Sequence, residues 1–120
     1  MNETHIAPQE IRVSNGGKIL HVIFPDNKEY DFSAELLRVE SPSAEVQGHS
    51  AAEKRTIGGK IGVTITNVDP VGNYAVRLVF DDGHDTGIFT WEYFSNLGEN
   101  KNLVWGDYLG RLEQFKLSRE

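Results

Sequence analysis

Four histidines, His5, His21, His49 and His84, are the side chains of this chain suited to metal ligation or proton transfer near neutral pH. A non-haem iron oxygenase centre takes a His-x-Asp/Glu pair and a second histidine around an open coordination position. Two residues beyond the histidines stand Ala7, Ile23, Ala51 and Thr86, so none of them opens such a pair. The densest ionisable group is Asp81, Asp82, His84 and Asp85. Joined by His49 from elsewhere in the chain, it offers His84, His49, Asp82 and Asp85 as ligands of a weak iron or zinc site. Carboxylates in such a run more commonly serve turn geometry and solubility. The favoured role of His84 is structural, with a ring nitrogen bonding loop backbone or a serine hydroxyl and fixing residues 41–49.

Other chemistries lack their parts. Ser41, Ser43 and Ser50 lie near His49, but no Gly-x-Ser-x-Gly elbow is present to activate a nucleophile. Gly58-Gly59-Lys60 lacks the leading glycine and trailing Ser/Thr of a phosphate-binding P-loop. The absence of cysteine removes disulfides, thiolate nucleophiles and cysteine-ligated metal centres.

Composition sets the outer bounds. The 120 residues carry 12 Lys+Arg against 18 Asp+Glu, a net charge of −6, and 38% of them are apolar. That is one ordinary globular domain. Residues 1–80 hold 8 basic and 10 acidic side chains and residues 81–120 hold 4 and 8, so no basic half offers itself to nucleic acid. Lys54, Arg55 and Lys60 form a local basic group, expected to be a solvated loop, with an anion-binding surface as the alternative. No run approaches the ~18 apolar residues of a membrane span. The N-terminus has neither a basic nor an apolar signal region, so the expected compartment is the cytoplasm.

The elements that must position these side chains follow from periodicity. After a loose polar lead-in at 1–9, residues 10–14 and 18–24 alternate as two strands about the turn Asn15-Gly16-Gly17. A short third strand covers 28–32. Ser33 is placed to cap a helix over 34–39. Residues 41–60 sustain no period and read as a long loop, a kind of segment that often carries function. A strand over 61–66, a turn at 69–73, a strand over 74–80 and a return strand over 86–91 come next. The Asp82-Gly83 turn sets Val76 opposite Phe89 and Tyr74 opposite Trp91. Trp91 to Leu97 reads as a helix capped by Thr90 and stopped by Gly98. Trp91, Tyr93, Phe94 and Trp105 are expected mostly in the core. Trp105, Tyr108, Leu109, Leu112 and Phe115 form the stripe of a C-terminal helix lying on the sheet. The expected fold is a single two-layer α+β domain of mainly antiparallel hairpins.

Three segments together carry a family resemblance: Leu37 to His49, Val68 to Val76 and Phe80 to Ile88. Over roughly residues 10–100 the chain resembles the gamma-butyrobetaine hydroxylase-like N-terminal domain, also called the domain of unknown function 971 family, in its stand-alone bacterial form. The resemblance implies a two-layer α+β fold. Relatives precede oxygenase barrels or are appended to iron–sulfur P-loop ATPases. In the oxygenase form a structural zinc is held by a Cys-x-Cys-x-x-Cys run and a distant histidine, positions that correspond here to Ser41, Ser43, Val46 and His84. Hydroxyls and a valine are not the thiolates zinc requires, so the site is expected to be lost. Packing and hydrogen bonds should take its place, leaving a domain held together by its apolar interior alone.

The expected function is therefore a non-catalytic binding or adaptor module with an unidentified protein partner and no cofactor, nucleic acid or membrane. By family analogy it would be accessory to iron–sulfur cluster assembly. Its contacts are assigned to Arg38, Ser41, Ser43, Glu45, His49, Asp82 and His84, on the 41–60 loop and the Asp81–Asp85 turn. The rival readings are the iron- or zinc-binding protein above and a small enzyme of unknown substrate.

Overall fold

The computed structural model describes residues 6–120, so His5 and most of the lead-in lie outside the described residues. Six strands, β1 (Glu10–Ser14), β2 (Ile19–Ile23), β3 (Glu29–Ser33), β4 (Ile65–Val71), β5 (Ala75–Phe80) and β6 (Gly87–Thr90), form two antiparallel sheets, β1-β2-β3 and β4-β5-β6. The helices are α1 (Ala34–Val39), α2 (Ala44–Gln47), α3 (Trp91–Glu99) and α4 (Lys101–Gln114). This is the expected α+β class.

The first hairpin reverses through left-handed backbone at Asn15, Gly16 and Gly17, with φ of 54°, 64° and 91°. Gly17 is also a point of close approach, since a Cβ there would stand 2.6 Å from the Ile65 carbonyl oxygen on the other sheet. Ser33 caps α1 by accepting the Leu36 N–H at 3.0 Å. Thr90 caps α3 in the same way, accepting from the Tyr93 N–H at 3.0 Å. Both caps satisfy donors that a helix start leaves unpaired.

Alternation along the strands fills the space between the sheets. Leu20 and Val22 of β2, Phe32 of β3, Val76, Leu78 and Phe80 of β5 and Phe89 of β6 are buried in one cluster with Leu36, Leu37 and Phe94. Phe94 of α3 stacks on Phe32 at 5.7 Å and on Phe89 at 5.5 Å between ring centroids, so one ring joins the two sheets. Trp91, Tyr93 and Trp105 are partly buried against this cluster.

Val76 pairs with Phe89, as the Asp82-Gly83 turn requires. Tyr74 lies opposite Trp91, whose N–H bonds the Tyr74 carbonyl at 3.2 Å, but its side chain is 54% exposed.

Four expectations need correction. The strand predicted over 61–66 is β4, displaced toward the C-terminus and running through Asp69-Pro70-Val71. Pro70 is tolerated because β4 is an edge strand. Residues before β4 bond to the C-terminal tail, with Gly59 N–H on the Ser118 carbonyl and Ile61 N–H on the Arg119 carbonyl, both at 2.9 Å. Gly98 does not stop α3, which continues to Glu99. A side chain at 98 would strike the Tyr30 ring, so glycine serves packing there. In α4, Val104 and Trp105 pack against the sheet-built core and Tyr108 and Leu112 on Val39 and Ile57, but Leu109 and Phe115 of the expected stripe are exposed.

The fourth correction concerns what holds the domain together. Two carboxylates are buried in it. Glu35 takes both Nε and Nη2 of Arg119, at 2.9 and 2.7 Å. Glu40 takes Lys54 Nζ at 2.6 Å and Arg111 Nη2 at 3.0 Å. These pairs tie α1 to the 41–60 segment, to α4 and to the tail. Removing one partner of such a pair would strand a charge in an apolar setting.

Candidate functional site

The 41–60 segment and the β5–β6 turn meet at His84. The segment is more ordered than a bare loop, since it contains α2 and a single helical turn over Ala51–Glu53. Ser41 is wholly buried, Ser43 and His84 nearly so, and Val46 is 1% exposed. The His84 Nε2 atom lies 2.9 Å from Ser41 Oγ and 3.4 Å from Ser43 Oγ. Its Nδ1 faces Glu45 Oε1 at 3.3 Å. A carboxylate only accepts, so it favours the tautomer with the ring proton on Nδ1, in which Nε2 accepts the Ser41 hydroxyl. Glu45 is itself fixed by the Thr86 hydroxyl at 2.9 Å. A Cβ at Gly87 would collide with Ser41 Oγ, so glycine at the start of β6 makes room for the clasp.

Each carboxylate of the turn has a local duty. Asp81 accepts the Thr64 N–H at 3.0 Å. Asp82 accepts Arg38 Nε at 2.7 Å, Lys60 Nζ at 2.6 Å and the His84 N–H at 3.0 Å. Asp85 pairs with Arg77 at 3.5 Å. Burial alone would raise the Asp82 carboxyl, but the bonds from Lys60, the His84 amide and Arg38 hold it down at about 2.

His49 is exposed, with its backbone N–H on Glu53 Oε1 at 2.8 Å. Among the described residues no three His, Cys, Asp or Glu side chains gather as a group that could hold a metal ion. Of the seven predicted contact residues, Arg38, Ser41, Ser43, Glu45, Asp82 and His84 are brought into one bonded cluster, and His49 is outside it.

Sequence reasoning missed one member of the cluster, Lys60, and misplaced Lys54, which lies outside it. Lys60 and Lys54 were read as parts of a solvated loop, yet both are ion-paired, Lys60 with Asp82 and Lys54 with buried Glu40. Only a long-range contact distinguishes them, and spacing along the chain carries no trace of it.

Burial, with the Arg38 guanidinium beside it, lowers the His84 pKa from 6.5, against the opposing pull of Glu45, Asp82 and Asp85. The unfolded chain regains the ordinary value and binds the proton first as pH falls. The contribution of the neutral ring is thus intact above pH 6.5 and lost as pH drops through the folded value. The melting temperature should therefore fall between pH 7 and 5, and His84→Gln should reduce that slope whatever its effect at pH 7. Equal slopes for the two proteins would overturn the assignment.

A two-sheet α+β domain whose 41–49 segment is clasped to a hairpin turn through one histidine defines a class of small folded module. The profile of the family "Gamma-butyrobetaine hydroxylase-like, N-terminal" matches residues 11–95, and the chain belongs to that family. It is similar to two proteins with NMR solution structures. One is 42% identical with a TM-score of 0.83, covering 98% of this chain and 92% of the other. The second is 41% identical with a TM-score of 0.81, covering 100% and 91%. A DUF971-family protein of unknown function from Acidithiobacillus ferrooxidans, seen in a crystal structure, is 38% identical with a TM-score of 0.66, covering 81% and 98%. No curated protein matches the chain.

The zinc that the family resemblance implies does not fit this chain. Its four positions converge around His84, yet Val46 offers no donor and Ser41 Oγ is bonded to the imidazole nitrogen a metal would need. No helix among the described residues is long and apolar enough to cross a membrane.

Proposed function

We propose that this protein is a non-catalytic adaptor that presents the 41–60 segment and the Asp81–Asp85 turn to a protein partner. By family analogy the partner would belong to iron–sulfur cluster assembly. The observation carrying the reading is the consumption of the site's chemical groups by structure. Ser41 and Ser43 contact His84, His84 faces Glu45, and Asp82 holds two cations and an amide. A nucleophile or base needs a free lone pair aimed at substrate, whereas these groups spend theirs on fixing one surface. The exposed parts of that surface, Ser50, Ala51 and Ala52 among them, then stand on a rigid mount.

The test is capture of partners from a soluble extract of the source cells, with Ser50→Arg/Ala52→Arg as the comparison. Both substitutions are on exposed positions and should leave folding intact. Proteins retained by the parent and lost by the variant are expected. An identical set for both, no retained protein, or one transition-metal ion held per chain after dialysis would overturn the reading.

A further inference from the structure

The chain has a net charge of −6, yet Arg38, Arg55 and Lys60 all line one cleft of about 230 Å³ beside His84. Arg38 is largely buried, with 12% of its side chain exposed, and bonds Asp82 through Nε. Its Nη1 is buried with no hydrogen-bond partner. A buried donor without an acceptor is costly, and native structures seldom keep one. Arg55 is exposed at the rim, and no ion pair holds its guanidinium among the described residues. Three cations face two carboxylates, Glu45 at the rim and Asp82 behind the wall.

We propose that this cleft binds the carboxylate side chain of an acidic segment of a partner protein, with Arg55 drawing it in and Arg38 receiving it. The inference rests on the adaptor reading and gives the partner its chemistry. The single positive charge in excess matches a carboxylate rather than a phosphate dianion, which Glu45 and Asp82 would repel more strongly. Val46 and Ile57 in the wall suit the methylene groups of glutamate. Guanidinium groups pair strongly with carboxylates. With Arg38 Nε on Asp82, a small shift of the side chain would bring its buried, unpartnered Nη1 to the cleft wall to receive one. The volume admits one side chain and no large ligand.

Hexaglutamate titrated into ¹⁵N-labelled protein at low salt tests the proposal, with hexalysine and inorganic phosphate as comparisons. Saturable amide shifts are expected around Arg38, Arg55 and Lys60, weakening as salt screens the charges. Arg55→Glu, on an exposed side chain whose loss leaves the fold intact, should weaken binding at least tenfold. Arg55→Lys should retain most of it. Shifts elsewhere, an Arg55→Glu protein that binds equally, or phosphate binding more tightly than the peptide would each overturn the assignment. The two readings fail separately. Peptide binding indifferent to Arg55→Glu removes this one alone, while absence of any loop-dependent partner removes the adaptor alone.

Discussion

A Ser41→Cys/Ser43→Cys/Val46→Cys variant is expected to hold one zinc ion per chain through dialysis, and to melt far higher with zinc than with a chelator. The three positions already surround His84, with hydroxyl oxygens 2.9 and 3.4 Å from Nε2 and Val46 lining the same cleft as the ring. A tetrahedral zinc about 2.3 Å from sulfur and about 2.0 Å from nitrogen places its ligands roughly 3.5 Å apart. Small outward shifts would therefore admit the ion. At a thousandfold excess over its dissociation constant, zinc would add about 4 kcal/mol to stability. The buried Arg38 guanidinium would help balance the thiolate charge. Metal analysis and calorimetry check both halves of this, and adding His84→Ala should abolish uptake. A folded triple variant that returns from dialysis empty would show that the four positions converge too loosely to share a metal.

Phe94→Ala should give the greatest loss of stability of any single substitution considered. The ring is wholly buried and is stacked on both Phe32 and Phe89. Truncating a buried phenylalanine costs about 3–5 kcal/mol, against a total stability of about 5–15 kcal/mol for a domain. The loss should be structural in a particular sense, because β1-β2-β3 and β4-β5-β6 form separate hydrogen-bonded sheets. Urea unfolding should show a lower midpoint and a broader transition as the halves come apart. Exposed Tyr74→Ala serves as the control, expected within about 0.5 kcal/mol of the parent. A Phe94→Ala loss below about 1 kcal/mol would mean that other contacts weld the sheets.

The parts of the fold legible in the sequence were those written locally. Turn chemistry at Asn15-Gly16-Gly17 and Asp82-Gly83, caps at Ser33 and Thr90, and period-two alternation in β2 and β5 each report on neighbouring residues. Family motifs drew Ser41, Ser43 and His84 together across more than forty positions, and the structure places them in contact. The start of β4 was misjudged because Ile61 and Val63 alternate as a strand does, while the Ile61 N–H bonds a tail carbonyl more than fifty residues away and the Val63 N–H turns back on the Lys60 carbonyl. Gly98 was misjudged because its reason is a ring on another strand. The buried carboxylates Glu35 and Glu40 sit in an ordinary helical pattern, and only their distant partners, Arg119 and Arg111, distinguish them from solvent-facing glutamates.

The clasp around His84 is built wholly from oxygen and nitrogen. Thiolate-held metal centres fail when peroxide oxidises the sulfur or a competing ligand strips the ion. Imidazole and hydroxyl groups joined by hydrogen bonds offer neither target. A chain without cysteine thereby keeps this corner of its architecture through swings of redox state and metal supply that would dismantle a sulfur-bound equivalent.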